Sequence, residues 1–195
     1  MAKKCLVIVA HPDDETIWMG GYILSNKNFE WEIISLCRKN DLDRMPKFAK
    51  VCRELNAIYS ISDLDDEKFN YLEIEEVIQR IIQMKKKEEY DYVFTHGQNG
   101  EYGHIRHLDV HKAVNEIIKR GELKCGKIFY FAYEGENELG KFCSADKSAN
   151  KFIKLDKDVY LKKKYLIRDV YGFKEDGFEY RSSGGIEAFF IKELK

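Results

Sequence analysis

Apolar residues along this chain fall into two alternating patterns, short unbroken runs and longer stretches with helical spacing. Cys5–Ala10 is an unbroken run, as expected of a strand buried on both faces of a sheet. Asp14–Ser25 predicts a helix in which Ile17, Gly20, Gly21 and Leu24 share one stripe, fit to pack closely on a sheet. A second strand is predicted over Trp31–Cys37 and a charged amphipathic helix over Lys47–Asn56. Leu72–Met84 is apolar at 74, 77, 78, 81 and 82, which is a helical period. Strands are predicted at Tyr90–Thr95 and Lys127–Tyr133, with a helix over roughly 107–119 between them. A late helix at Val159–Arg168 and a final strand at Ile186–Ile191 follow. Residues 134–150 are polar and weakly periodic, so a long loop is expected there. The runs Lys85–Lys87 and Lys162–Lys164 read as solvated helix faces.

This βαβα order implies an α/β, Rossmann-like fold, a mostly parallel sheet with helices on both faces. At 195 residues and 23.0 kDa the expectation is a single domain, residues 1–195. Thirty-three basic against thirty-four acidic side chains leave a net charge of −1, so no broad field favours nucleic acid or an anionic membrane. No apolar run is long enough to span a bilayer. The first apolar run is followed by His11-Pro12-Asp13-Asp14-Glu15 rather than a small-residue cleavage site, which favours a buried strand over a signal peptide. Five scattered cysteines without a CxxC pair suit reduced thiols and a cytoplasmic location.

The chemistry concentrates at two predicted strand ends. Directly after the first strand, His11, Asp13, Asp14 and Glu15 crowd three carboxylates and an imidazole into five residues. Such crowding is costly unless a positive charge lies among them. Asp13 or Asp14 capping the next helix accounts for one acid, but for neither the second acid nor the histidine. The other four histidines, His96, His104, His107 and His111, lie within seventeen residues after the strand at 90–95. Imidazole and carboxylate are good zinc ligands, and catalytic zinc commonly takes three protein ligands plus water. Gly97, Gly100 and Gly103 do not make a dinucleotide fingerprint, so a nucleotide-binding module is disfavoured.

These two segments, AHPDDE at 10–15 and GEYGHIRH at 100–107, resemble the LmbE/PIG-L family of zinc-dependent N-deacetylases. Ile105 and Arg106 stand where family members often have Pro-Asp, a pair discounted because it supplies no ligand. A weaker match runs from Arg44 through Lys47 to Leu55 and Asn56. Lys47 and Asn56 replace the family's usual Glu and Gly. Gly185–Phe189 looks like the family's closing strand.

The resemblance implies His11, Asp14 and His107 as metal ligands for Zn2+, with Asp13 as general base and His104 as the donor to the oxyanion. It implies Arg44 as a substrate-binding group and hydrolysis of an N-acetyl amide on an amino sugar such as N-acetylglucosamine or its conjugate. A His/Asp/His set also accepts other divalent metals. His96 and Glu15 are expected in supporting roles, and His111 as a satisfied, partly buried histidine. Self-association into a homo-oligomer is common in the family. The alternatives are an amidase acting on another N-acyl or thiol-sugar conjugate, and a non-catalytic metal or ligand-binding module. The module has no use for a base such as Asp13.

Overall fold

The computed structural model describes residues 2–67, 70–136 and 141–194. The elements run β1 (Lys4–Val9), α1 (Asp14–Ser25), β2 (Glu30–Ser35), α2 (Arg44–Glu54), β3 (Ala57–Ile61), α3 (Ile74–Met84) and β4 (Glu89–Thr95). A one-turn segment, α4 (Gly100–Gly103), leads into α5 (Ile105–Lys119), β5 (Lys124–Phe131) and a hairpin of β6 (Tyr133–Gly135) with β7 (Cys143–Ala145). The chain ends with β8 (Lys151–Lys154), α6 (Lys157–Tyr165), a π-helix (Leu166–Val170), α7 (Phe178–Ser182) and β9 (Ile186–Glu193).

Seven strands form one sheet in the order β3-β2-β1-β4-β5-β9-β8. The first five are parallel, while β9 and β8 complete it antiparallel. The unbroken apolar run of β1 follows from its central position. Leu6 and Ile8 enter one core with α3 and α5, and Val7 and Val9 enter the other with α1, α2 and the π-helix. Chain order reverses between β1 and β4, and ligands of open α/β sheets bind outside the carboxyl ends of strands at such a switch point. Cys5 pairs with Tyr92 and Ile8 with Thr95, so the loops after β1 and β4 leave the sheet side by side. No helix among the described residues is long and apolar enough to cross a membrane.

Several expectations are corrected. Strand β3 was not expected: it is a half-exposed edge whose Ile58 and Tyr59 face outward, so its sequence lacks a buried run. The stretch 134–150 is not loop throughout, since β6 and β7 pair across it; residues 137–140 lie outside the described residues. Gly21 meets the sheet through its N–H, which reaches Glu187 of β9 at 2.7 Å, but its bare face lies elsewhere. A β-carbon on Gly21 would collide with Leu155, just ahead of α6, so these glycines admit the β8–α6 connection against α1.

The run Lys162–Lys164 is not a solvated face either. Lys163 is fully buried and its Nζ lies 2.7 Å from Oε1 of the equally buried Glu187. That carboxylate also accepts the backbone N–H groups of Gly21 and Tyr22, each at 2.7 Å. A buried ion pair persists where its remaining polar atoms are satisfied in this way.

Candidate active site

The loop after β1 is held from three directions. The backbone N–H of Ala10 donates to Nε2 of His96, the residue following β4, at 2.9 Å. Asp14 opens α1; its Oδ2 accepts the His11 N–H at 2.8 Å and its Oδ1 accepts the indole N–H of buried Trp18 at 3.0 Å. Between them Asp13 takes φ 114°, a region L-residues rarely enter, and such strain gathers at functional sites. Its N–H is caught at 3.0 Å by Glu15, whose other oxygen accepts the hydroxyls of Thr16 and Tyr171. Burial drives the Glu15 carboxyl up to about 7 against those hydrogen bonds. The Asp13 side chain makes no cap hydrogen bond, so the capping explanation fails for it.

The second loop supplies the imidazoles. His104 is the N-cap of α5 and its Nδ1 accepts the Arg106 N–H at 3.2 Å, which leaves Nε2–H as its donor. His107 lies in the first turn of α5, fully buried. Its Nδ1 lies 2.6 Å from Oε2 of Glu101, and the same oxygen takes Nδ1 of His96 at 2.8 Å. Oε1 of Glu101 accepts the Gly97 N–H at 2.7 Å. Glu101 is a non-glycine residue at φ 61°, fixed by these bonds, and the two histidines hold its carboxyl down to about 2 despite burial.

This network assigns the tautomers. His96 spends its Nε2 lone pair on Ala10 and stacks on His107 with ring centroids 3.8 Å apart. His11 donates from Nε2 to Asp66 at 2.9 Å, and Asp66 is gripped by Arg38. The ring nitrogens left over are Nδ1 of His11 and Nε2 of His107, and they converge on Oδ2 of Asp14. The His11–His107 separation is 3.3 Å, His11–Asp14 3.3 Å and His107–Asp14 3.5 Å. Ligands placed tetrahedrally at the roughly 2.0–2.1 Å of zinc–nitrogen and zinc–oxygen bonds lie about 3.3–3.4 Å apart. The donor set and its spacing therefore fit a divalent ion, and neighbouring groupings share its atoms: His104 with His11 and His107, His96 with Asp14 and His107, and Cys37 and Asp66 with His11. His96 lacks a free lone pair. His104 approaches His11 and His107 with ring centroids 4.7 Å from each, while its Nδ1 accepts the Arg106 N–H.

Above this triangle lies a cavity of about 240 Å³. Asp13, Arg38, Asp41, Arg44, His104, Phe178 and Glu179 are on its walls. Arg44 makes a short ion pair with Oδ2 of Asp13 and packs its guanidinium 4.5 Å from the Phe173 ring centroid. Burial and the neighbouring Asp14 push the Asp13 carboxyl well up from the usual range, with Arg44 pulling it back. Burial and the charges of His107 and His11 hold His104 down to about 3, so it stays neutral. His111 turns away, its Nδ1 2.9 Å from the His96 carbonyl and its other nitrogen beside Asn115. A larger open cavity of about 700 Å³ lies at the amino ends of the strands, around Asp91 and Lys127, and no metal-ligating group gathers there among the described residues.

The structure brings together His11, Asp13, Asp14, His104 and His107 from the two strand ends, with His96 and Glu15 in the supporting places expected of them; Glu101, Asp66 and Arg106 were not anticipated. Arg106, discounted as variable, is fully buried; it donates to the carbonyls of Asp65 and Asn70 and to Asp109, anchoring the loop that carries Asp66. Glu101 and Asp66 carried no spacing signal that would have marked them.

Fold and centre define an α/β protein with a polar, histidine-rich centre at the switch point of its sheet. Residues 6–118, more than half of the chain, match the family described as PIG-L, GlcNAc-PI de-N-acetylase, and the chain belongs to that family. It is 27% identical over 129 residues to an uncharacterized protein of Acanthamoeba polyphaga mimivirus, an alignment spanning 57% of this chain and 56% of that relative. Among solved structures it resembles the N,N'-diacetylchitobiose deacetylase of Pyrococcus horikoshii, with TM-score 0.70, 20% identity and coverage of 98% of this chain and 84% of that one. It also resembles the 4-carboxy-2-hydroxymuconate hydratase GalB of Pseudomonas putida, with TM-score 0.65, 15% identity and coverage of 99% and 96%. At these identities the likeness is one of fold.

Proposed function

We propose that the chain is a divalent-metal-dependent N-deacetylase, with zinc the first candidate, acting on an N-acetylated amino sugar or its conjugate. The observation that carries this reading is the triangle of ligating atoms of His11, Asp14 and His107, 3.3–3.5 Å apart, with an uncapped Asp13 beside it. The ion, when bound by those three residues, supplies Lewis acidity to the amide carbonyl and acidifies water. Asp13 accepts a proton from the attacking water, and its pairing with Arg44 aims the carboxylate and opposes the upward push of burial. His104, neutral and with Nε2–H as its donor, stabilises the carbonyl oxygen as negative charge develops there. As the water oxygen bonds to the carbonyl carbon and the C–N bond breaks, Asp13 passes its proton to the departing nitrogen. The products are acetate and a free amine. Arg44 acts through Asp13, where a substrate-binding role was expected for it. The five unpaired cysteines, four of them buried, support a reducing, cytoplasmic setting.

Acetate release from N,N'-diacetylchitobiose and related N-acetylglucosamine conjugates tests the reading. Activity should vanish on stripping with a chelator and return with one equivalent of Zn2+. Tight metal binding without acetate release from any N-acyl sugar would contradict it.

A further inference from the structure

One stretch outside residues 6–118 returns to the centre repeatedly. It starts at the π-helix 166–170, a form that recurs beside functional sites. Tyr171 reaches Glu15 with its hydroxyl at 2.7 Å, and Phe173 lies under Arg44. Phe178 then sets its ring edge-on to Tyr102 with centroids 4.9 Å apart, and Phe178 and Glu179 close one wall of the cavity. The other charged groups of that wall are engaged: Arg38 with Asp66, Arg44 with Asp13, and Asp41 with backbone N–H groups at the start of α2. Among the described residues the Glu179 carboxylate has no hydrogen bond or ion pair, although its charge acts on Arg44.

We propose that Phe178 and Glu179 form the subsite that reads the acylated ring, Phe178 covering its apolar face and Glu179 accepting its hydroxyls, and that this subsite selects neutral over phosphorylated sugars. The proposal rests on the deacetylase reading of the same centre. A pyranose presents C–H groups on its faces and O–H donors at its rim, and a carboxylate is the strongest neutral-donor acceptor a side chain offers. The cavity is smaller than the roughly 300–1,000 Å³ that enclose drug-sized ligands, which suits a single ring. A phosphate would need a cation to receive it, yet both guanidiniums lining the cavity are paired. The lining carboxylates Asp13, Asp14, Asp41, Asp66 and Glu179 outnumber them.

The test compares wild type, Glu179→Gln and Glu179→Ala, all zinc-loaded and matched for metal content and thermal stability. Acetate release is followed from N,N'-diacetylchitobiose and from N-acetylglucosamine 6-phosphate, and binding of both sugars is measured by calorimetry. Wild type should favour the neutral sugar at least tenfold. Glu179→Ala should raise KM for the neutral sugar by roughly tenfold or more, as loss of a charge-assisted hydrogen bond does, with little change in kcat. Glu179→Gln should keep part of that affinity and narrow the preference against phosphate. An unchanged KM in Glu179→Ala, or equal use of both sugars by wild type, overturns the proposal. If no acetate appears but binding still depends on Glu179, the subsite stands and the deacetylase reading falls.

Discussion

Helix α1 touches two buried clusters of charge built on opposite plans. Near its carboxyl end, Glu187 meets Lys163 and the N–H groups of Gly21 and Tyr22, so each oxygen faces a donor. At its amino end, His11, Asp14 and His107 turn one ligating atom each towards a common point. The first cluster is closed and holds the fold together. The second is held open by supports arranged around it: Trp18 on Asp14, Asp66 on His11 and Glu101 on His107. Buried charge alone does not mark a site; metal-ligating atoms that converge while their side chains' other atoms are already bonded do.

The contrast gives three outcomes in descending size. Asp13→Asn should keep fold and metal content while acetate release falls roughly a hundred- to ten-thousandfold, the usual loss of a general base. Retention of wild-type turnover in a metal-replete variant would remove Asp13 from the chemistry. Lys163→Met, at the closed cluster, should destabilise the protein by about 3–5 kcal/mol in denaturant unfolding, because it strands a buried carboxylate. Metal stoichiometry should be unaffected, and a loss under about 1 kcal/mol would mean that the Glu187 hydrogen bonds suffice alone. Glu101→Gln should weaken metal affinity about ten- to a hundredfold with the fold retained, because its amide nitrogen turns a donor towards a histidine N–H or the Gly97 N–H. Wild-type affinity in that variant would reduce Glu101 to a loop anchor.

The open cluster was more legible in the sequence than the closed one. His11, Asp13 and Asp14 follow a strand buried on both faces, and His104 and His107 begin the helix after its neighbour, so local order alone placed them together. Glu101 looks like a surface acid because its role depends on a positive φ that no spacing announces. Asp66 is separated from His11 by fifty-five residues and meets it only through the fold. Lys162–Lys164 misled for a related reason: three lysines look solvated until Glu187, arriving on β9, takes the middle one inside. Strands β3 and β8 escaped notice because exposed edges leave no continuous apolar run. The departure at Asn56 is physically conservative, since φ 55° is left-handed backbone that asparagine tolerates almost as glycine does.

The central claim is that His11, Asp14 and His107 hold one divalent ion. Its most direct test is calorimetric titration of Zn2+ into chelator-stripped protein in buffers of different ionisation enthalpy. Burial opposes the charged form of His11, but hydrogen bonds to Asp14 and Asp66 raise it to about 10, so the metal-free imidazole carries a proton at neutral pH. A ligand must surrender that proton, so binding should occur at one ion per chain with proton release and should weaken as pH falls. His107→Ala should lose the binding. Absence of stoichiometric binding by wild type, or native affinity in His107→Ala, would contradict the account.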